Sequence, residues 1–458
     1  MKWTDEQIDV LNAIQAPIYS MFDSNVVIHI DAKAGTGKTT IIKEVVKRNP
    51  TKDYIYTAFN KKIVEDGTKV LDANKCKTFH ALAYKYTSNP KIGGFYPSMI
   101  RTPGFSYADK KYVVDMLDKY CLSRYIDIEE FFEEIACPLR LENSIITYLE
   151  KMANRTIPIT FNYMLKELHH QLNDGNISIN LDMLFVDEAQ DLTPVMLEIF
   201  GLIQADVKVY LGDTSQDIYS FLDLVSAFTL STSTYNLTTS FRLSPAIAAR
   251  IEPFCKTYID PMFKLTGVGT GTDTNEGYIT HSNAEIIYQV KLRQDKGLKY
   301  SFTRPIEEIF EVALTVHDIL QGEKVNKPKY WSLVDKRKRG VPIKELVRDE
   351  ELDDDILNSL RLIQKLNQQR VDIHKVLEQA KKDKPDRSYL VATAHSVKGL
   401  EMGCVTISRG LNSYVEVALN KTISTPQDEE ERIEACKLYY VACSRAKHKL
   451  INATQLNI

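Results

Sequence analysis

The stretch Val26 to Thr40, VVIHIDAKAGTGKTT, constrains this chain more than any other. Val26 to Ile30 is a short apolar run rich in β-branched side chains, the pattern of a buried strand. It leads into a glycine-bearing turn, Lys33-Ala34-Gly35-Thr36-Gly37, then Lys38-Thr39-Thr40 and an amphipathic stretch from Ile41 to Val46. Strand, glycine turn, Lys-Thr and helix, in that order, form a phosphate-cradling P-loop. Gly35 and Gly37 free the backbone to aim N–H groups at phosphate oxygens, and the helix N-terminus adds a partial positive charge. In that arrangement Lys38 reaches the β- and γ-phosphates and the Thr39 hydroxyl ligates magnesium. Ala32 stands where the G-x-x-x-x-G-K-[ST] pattern has its first glycine, so a small residue is kept there. A plain flexible turn ahead of a surface helix leaves the Lys-Thr pair in this register unexplained.

A chain of 458 residues is long enough for two to four domains, each with its own core. Its 44% hydrophobic and 26% charged residues are ordinary for a globular protein. With 58 basic and 61 acidic residues the net charge is −3, so any nucleic-acid contact has to come from a local groove rather than bulk charge. Seven cysteines are scattered with no C-x-x-C pair, which makes neither a disulfide framework nor a zinc or iron–sulfur site. The N-terminal MKWTDEQIDVLNAI is amphipathic, and no run of ~18 apolar residues is present. A soluble, cytoplasmic protein with no membrane partner is the expectation.

Thr4-Asp5-Glu6-Gln7 followed by Ile8, Val10, Leu11 and Ile14 reads as a capped helix start. Gln7 is either a solvated helix residue or, just upstream of the P-loop, an amide able to read an adenine edge with one donor and one acceptor. Tyr54 to Ala58 reads as a second strand ending in Phe59-Asn60-Lys61-Lys62, and Thr78-Phe79-His80-Ala81-Leu82 follows Lys75-Cys76-Lys77. Both place polar and aromatic residues where strands hand over to helices, the ligand edge of a parallel sheet. From about Tyr86 to Asn180 helical periodicity takes over, as in Tyr112, Val113, Met116, Leu117 and Tyr120, predicting a helical insertion. The adjacent His169-His170 pair has no metal-ligand spacing and reads as a surface feature.

The strand Met183 to Val186 delivers Asp187-Glu188-Ala189-Gln190-Asp191. Carboxylates at a strand end can be a simple helix cap. Behind a P-loop they have another use: Asp187 holds magnesium through water and Glu188 polarises an attacking water. A further strand, Lys208 to Leu211, ends in GDTSQDIYSF, where Gln216 can sense a γ-phosphate and Tyr219 and Phe221 offer faces for stacking bases or for a core. A second α/β region begins near Tyr235. The basic stretch Lys324 to Arg339 is either a phosphate-backbone contact or a solvated loop balanced by the acidic Asp349 to Asp355. Strands Tyr389 to Thr393, Cys404 to Ser408 and Lys449 to Asn452 close the chain, and two halves of comparable texture suggest paired RecA-like lobes.

In order, Gln7, AKAGTGKT, TAFNKK, TFHAL, DEAQD, GDTSQDIYSF, Phe241-Arg242, TAHSVKGLE and YYVACSRA resemble the UvrD/PcrA/Rep branch of superfamily 1 helicases. The resemblance runs from residue 4 to residue 446. It implies an α/β fold of two RecA-like parallel-sheet lobes. The first lobe would occupy 1–85 and 181–234 around a helical insertion at 86–180. The second would occupy 235–315 and 389–458 around a reduced insertion at 316–388.

The resemblance also implies roles. ATP and Mg2+ are the expected cofactors. Gln7, Ala32, Lys33, Ala34, Gly35, Thr36, Gly37, Lys38, Thr39, Thr40, Phe241 and Glu401 line the nucleotide, with Phe241 stacked on the base and Glu401 on the ribose. Lys38, Asp187, Glu188, Gln216, Arg242 and Arg445 carry catalysis, the two arginines supplying transition-state charge. Thr39 and Asp187 hold the metal. Phe59, Asn60, His80, Tyr219, Phe221 and His395 contact single-stranded DNA. Thr40 replaces an arginine that relatives place over adenine, and Leu222 replaces one that follows the last aromatic of GDTSQDIYSF. The implied activity is an ATP-driven DNA helicase acting on single-stranded and forked DNA, monomeric without DNA, with replication or repair proteins as partners. Two rivals predict different behaviour: a translocase that displaces proteins without strand separation, and a P-loop kinase or regulatory ATPase indifferent to DNA.

Overall fold

The computed structural model describes residues 2–18, 25–58, 61–88, 90–218, 234–325, 327–349 and 351–457. The chain forms two compact units, Met1–Thr238 and Thr239–Ile458.

The first unit is built on β1 (Val26–Ala32), β2 (Tyr54–Ala58), β3 (Cys76–Thr78), β4 (Asn180–Asp187), β5 (Gln204–Gly212) and β6 (Thr234–Leu237). They form one sheet in the order β3-β2-β4-β5-β1-β6, and every pair is parallel. A parallel sheet covered on both faces needs apolar residues at successive positions, because alternate side chains enter different cores. In β4, Met183 and Phe185 join the core made with α1 (Asp5–Ile18), α2 (Lys38–Arg48) and α3 (Lys61–Thr68). Leu184 and Val186 enter the opposite core instead.

That second core is filled by α4 (Phe79–Tyr86), α5 (Tyr107–Leu122), α6 (Ile128–Ile135), α7 (Leu139–Ala153), α8 (Phe161–Asn173) and α9 (Pro194–Leu202). Ser106 caps α5 in a reciprocal capping box, and Asp127 and Thr160 cap α6 and α8. The helices between β3 and β4 therefore share one hydrophobic core with the sheet.

Two expectations are corrected here. Tyr235 does not open the second half: β6 lies on the edge of the first sheet, with Tyr235 in register with Ile30. Nor is His169 a surface residue, being only 2% exposed. It falls on the stripe Leu165, Leu168, His169, Leu172, the i, i+3, i+4, i+7 face that α8 turns inward. Burial, then the neighbouring charges of Lys166 and His170, push its imidazole pKa down to about 3.

The second unit contains a short parallel pair, β7 (Thr239–Ser240) and β8 (Thr266–Gly267). Its main sheet is β9 (Glu276–Thr280), β10 (Tyr389–Thr393), β11 (Met402–Ile407) and β12 (Ala446–Ile451), parallel in the order β10-β9-β11-β12. Around it run α10 (Pro245–Tyr258), α11 (Asn283–Asp295) and α12 (Ile306–Leu320). They are followed by α13 (Trp331–Lys338), α14 (Ile343–Leu346), α15 (Asp354–Gln368), α16 (Ile373–Lys382), α17 (Arg409–Asn420) and α18 (Pro426–Cys443). Ile287, Phe310, Leu366, Val376 and Val391 tie α11, α12, α15, α16 and β10 into one core, and α13 and α14 pack on α12 and α15 in another.

The basic run beside α13 is balanced locally. Lys336 pairs with Asp349 and with Glu351 at 2.7 Å, and Lys329 lies 3.3 Å from both Asp353 and Asp355. All seven cysteines are free thiols. Among the described residues no helix is long and apolar enough to cross a membrane.

Candidate nucleotide site

The loop after β1 turns through two left-handed glycines, Gly35 at φ 75° and Gly37 at φ 91°. A side chain at Gly37 would be strained and would bring its Cβ to 3.2 Å from Gln7 Nε2. Gln7 is not solvated, being only 4% exposed. Its backbone N–H donates to Thr4 Oγ1 and its Oε1 accepts from the Thr4 N–H, both at 3.2 Å, completing a capping box. Its Nε2 donates to the Thr36 carbonyl at 3.1 Å. Gln7 thus braces the P-loop with the same amide that was expected to read adenine.

Ala32, Ala34 and Thr36 are buried, whereas Gly35, Gly37, Thr39 and Thr40 are partly open at the start of α2. Lys33 departs from its expected place. Its N–H donates to the Leu237 carbonyl at 3.0 Å, extending the β1–β6 pairing. Its ammonium turns into the protein, 2.9 Å from Asp31, 3.5 Å from Asp213 and 3.2 Å from Ser215 Oγ. In this arrangement Lys33 braces the loop and gives neither group to a phosphate.

Asp187 and Glu188 stand together at the end of β4. Consecutive strand residues point to opposite faces. The left-handed backbone of Glu188, φ 53° and ψ 46°, breaks that alternation and brings both carboxylates to Lys38. Lys38 Nζ lies 2.7 Å from Glu188 Oε1 and 3.7 Å from Asp187 Oδ1. Burial works against the ammonium, but the charges of Glu188 and Asp187 outweigh it and hold the lysine above its ordinary range. Asp187 is pushed the other way, its carboxyl raised by burial against the opposing pull of Lys38. The buried Tyr56 hydroxyl donates to Asp187 Oδ2 at 2.7 Å, and the Glu188 N–H donates to Oδ1 at 2.9 Å.

Behind these groups runs a polar relay. Gln190 Nε2 donates to Glu188 Oε2 at 2.6 Å, and Gln190 Oε1 accepts from the Asp213 N–H at 3.2 Å. Gln216 Nε2 donates to Asp213 Oδ2 at 2.7 Å. The tips of β4 and β5 are therefore joined through side chains. Tyr56, Gln190, Asp31 and Asp213 were not among the expected site residues. Gln190 and Asp213 lie inside DEAQD and GDTSQ, where their polarity at a strand tip was a usable signal. Tyr56 gave none beyond a strand position.

The second unit gathers its own charged group. Arg242 binds Glu401 Oε1 through Nε at 2.8 Å and Nη2 at 2.6 Å. Lys447 reaches Glu401 Oε2 at 3.2 Å and Asp273 at 2.9 Å. Burial raises the Glu401 carboxyl, yet Arg242 and Lys447 bring it below its usual range. Phe241 is 46% exposed, so its ring is open to a stacking partner. Arg445 is 2% exposed, with Nε on the Val441 carbonyl at 2.8 Å and Nη2 on Ser444 Oγ at 2.9 Å.

Of the expected DNA contacts, Phe59, Asn60, Tyr219 and Phe221 lie outside the described residues, as does Leu222. His80 sits on α4 with its ring perpendicular to that of Phe161, centroids 5.9 Å apart. Burial lowers the His80 pKa, and lowers that of His395 to about 4. Both imidazoles are therefore neutral near pH 7 and suit stacking or hydrogen bonding rather than charge pairing.

This geometry agrees with what the chain is similar to. Residues 15–222 match the family model of an AAA domain. The F-box DNA helicase 1 of Gallus gallus is 27% identical across all of this chain and 49% of its own length. The F-box DNA helicase protein 1 of Schizosaccharomyces pombe is 23% identical across 93% of this chain and 55% of its own length. Along nearly its whole length the chain is thus similar to proteins named as DNA helicases. A shorter match, 33% identical over 18% of this chain, is to the RecBCD enzyme subunit RecB of Borreliella burgdorferi. The chain spans about half the length of the F-box relatives, 49% and 55%. Lys38, Asp187 and Glu188 meet at the C-terminal edge of the first sheet, where β1 and β4 deliver them.

Proposed function

We propose that this protein is an ATP-dependent DNA helicase that moves along single-stranded DNA and separates duplexes at forks during replication, repair or recombination. The observation that carries the reading is the convergence of Asp187 and Glu188 on the P-loop Lys38, at 3.7 and 2.7 Å. A kinase or regulatory ATPase shares the P-loop but gives no account of helicase relatives aligned along the whole chain.

Lys38 and the loop N–H groups would bind the phosphates, and Glu188 would take the proton of the attacking water. Magnesium suits the donor set, since the Thr39 hydroxyl and the Asp187 carboxylate are hard oxygens in a pocket where two carboxylates face one ammonium. When bound, it would neutralise phosphate charge. Arg242 and Arg445 would supply the remaining positive charge, Phe241 a stacking face, Glu401 a ribose contact and Gln216 a γ-phosphate sensor. The helices α5–α8 would form the insertion of the first lobe, and α13–α16 a reduced insertion of the second. His80 and His395 would lie along the DNA strand with Phe59, Asn60, Tyr219 and Phe221.

The test is Lys38→Ala. ATPase and fork unwinding should vanish while binding to single-stranded DNA stays within a few-fold of the parent. Normal unwinding by this variant would sink the assignment. Forks with a 3′ or a 5′ tail, assayed in parallel with the parent protein, give the direction of travel.

A further inference from the structure

We propose that His317, Asp372 and His374, with Asp318 beside them, form a binding site for a zinc-class divalent cation, contained within the second unit. His317 and Asp318 sit near the end of α12, Asp372 caps α16, and His374 lies in its first turn. His317, Asp372 and His374 each offer a ligand atom, and these atoms lie within 4.8 Å of one another. Asp318 Oδ1 lies beside this group, 3.5 Å from His317 Nδ1 and 3.6 Å from His374 Nε2.

Those spacings fit a shared ion better than they fit direct bonds. An N–H···O hydrogen bond runs about 2.9 Å, shorter than either contact. Two donors each about 2.1 Å from a tetrahedral ion stand roughly 3.4 Å apart, which is where Asp318 and the two imidazoles already are. His317 Nδ1 is buried and makes no hydrogen bond among the described residues, so it is an orphaned nitrogen in want of a partner. The two rings meet at 76° with centroids 5.0 Å apart, an edge-on approach that leaves nitrogens converging rather than rings stacked. Asp372 is held still because its Oδ1 accepts the His374 N–H at 2.9 Å, and its second oxygen stays available.

The donor chemistry selects the ion. Two imidazoles with carboxylates suit zinc, cobalt or nickel, whereas magnesium and calcium favour all-oxygen sets. The absence of cysteine pairs had argued against zinc, but these donors are imidazoles and carboxylates brought together only by the packing of α16 on α12. Such an ion would clamp the α15–α16 turn to α12 and so stiffen the helical part of the second unit.

Cobalt titrated into the full chain without nucleotide tests this. One equivalent should give the intense visible band of tetrahedral Co2+, and one equivalent of Zn2+ should abolish it and raise the melting temperature. His374 is half-exposed, so His374→Ala should fold normally in EDTA, lose the band and lose the Zn2+-dependent rise; Asp318→Asn should weaken binding roughly tenfold or more. A pale octahedral spectrum from the parent chain, or an undiminished band in His374→Ala, overturns the site.

Discussion

Replacing Lys33 by methionine separates two accounts of the P-loop. Its side chain is 5% exposed, between Asp31 at 13% and Asp213 at 0%. Removing one member of a buried ion pair costs about 3–5 kcal/mol, because the partner is left charged and dry. Both carboxylates keep other donors here. Asp213 retains the Ser215 N–H at 3.1 Å and Gln216 Nε2 at 2.7 Å, and Asp31 retains the Thr214 N–H at 3.1 Å. The low end of the range, about 3 kcal/mol, is therefore expected. For a unit of this size that is a fall in melting temperature of roughly 6–12 °C, read by calorimetry or circular dichroism. Adding Asp213→Asn removes one stranded charge, so the double variant should melt above Lys33→Met alone. If Lys33 instead served the nucleotide directly, the single variant would keep its melting temperature and raise the KM for ATP. A shift below about 2 °C, or strictly additive losses in the double variant, would refute the bracing role.

Tyr56→Phe deletes the 2.7 Å donor to Asp187, a charged-group hydrogen bond worth about 1.5–3 kcal/mol, so half-saturation of the ATPase by Mg2+ should move up by roughly tenfold or more; an unchanged Mg2+ dependence counts against it. His169 has a folded pKa of about 3, below the usual value near 6.5, so the unfolded chain binds the extra proton first. Its stabilising contribution is complete above pH ~6.5 and drains away toward pH 3, at most about 1.4 kcal/mol per pH unit. His169→Leu should flatten that acid limb in denaturant titrations, and an unaltered slope would show that another group sets it. Lys329→Ala with Lys336→Ala should leave DNA affinity within about twofold and the salt dependence unaltered, since acidic neighbours already satisfy both; a slope shallower by roughly one per lysine would mean that they contact phosphates.

What could be read from the sequence was whatever local periodicity and short motifs encode. The parallel α/β class followed from apolar runs such as Leu184-Phe185-Val186, which end in polar tips, and both sheets have that construction. The cluster of Lys38 with Asp187 and Glu188 was legible because each residue belongs to a motif with its own chemical logic. Long-range partners were not. Nothing near Tyr56 announces that its hydroxyl meets a carboxylate 131 positions later, and nothing near Lys33 announces Asp213. The strand containing Tyr235 was misplaced because a four-residue edge strand looks the same at the end of one sheet as at the start of the next. The adjacent His169-His170 pair carries no sign of burial by itself, whereas the i, i+4 spacing from Leu165 puts His169 on the inward face of α8.

If Glu188 is the general base of the proposed ATPase, its resting arrangement would bear on how idle hydrolysis is avoided. A general base needs a free lone pair aimed at its water. Here Oε1 is taken by Lys38 at 2.7 Å and Oε2 by Gln190 at 2.6 Å. The lysine proton that Glu188 accepts is not open to a phosphate, although the ammonium carries three. On the proposed reading, an incoming phosphate would compete with Glu188 for Lys38, and a lysine drawn away would leave Glu188 Oε1 more open to the attacking water. Gln190 would keep its grip through this exchange because its other end is fixed on the Asp213 N–H. Glu188 would then swing about one tether rather than float free, and that tether ends on the same Asp213 that Gln216 and Lys33 hold. Binding and activation would then be coupled by one ammonium changing partners, with the β5 tip as the fixed reference.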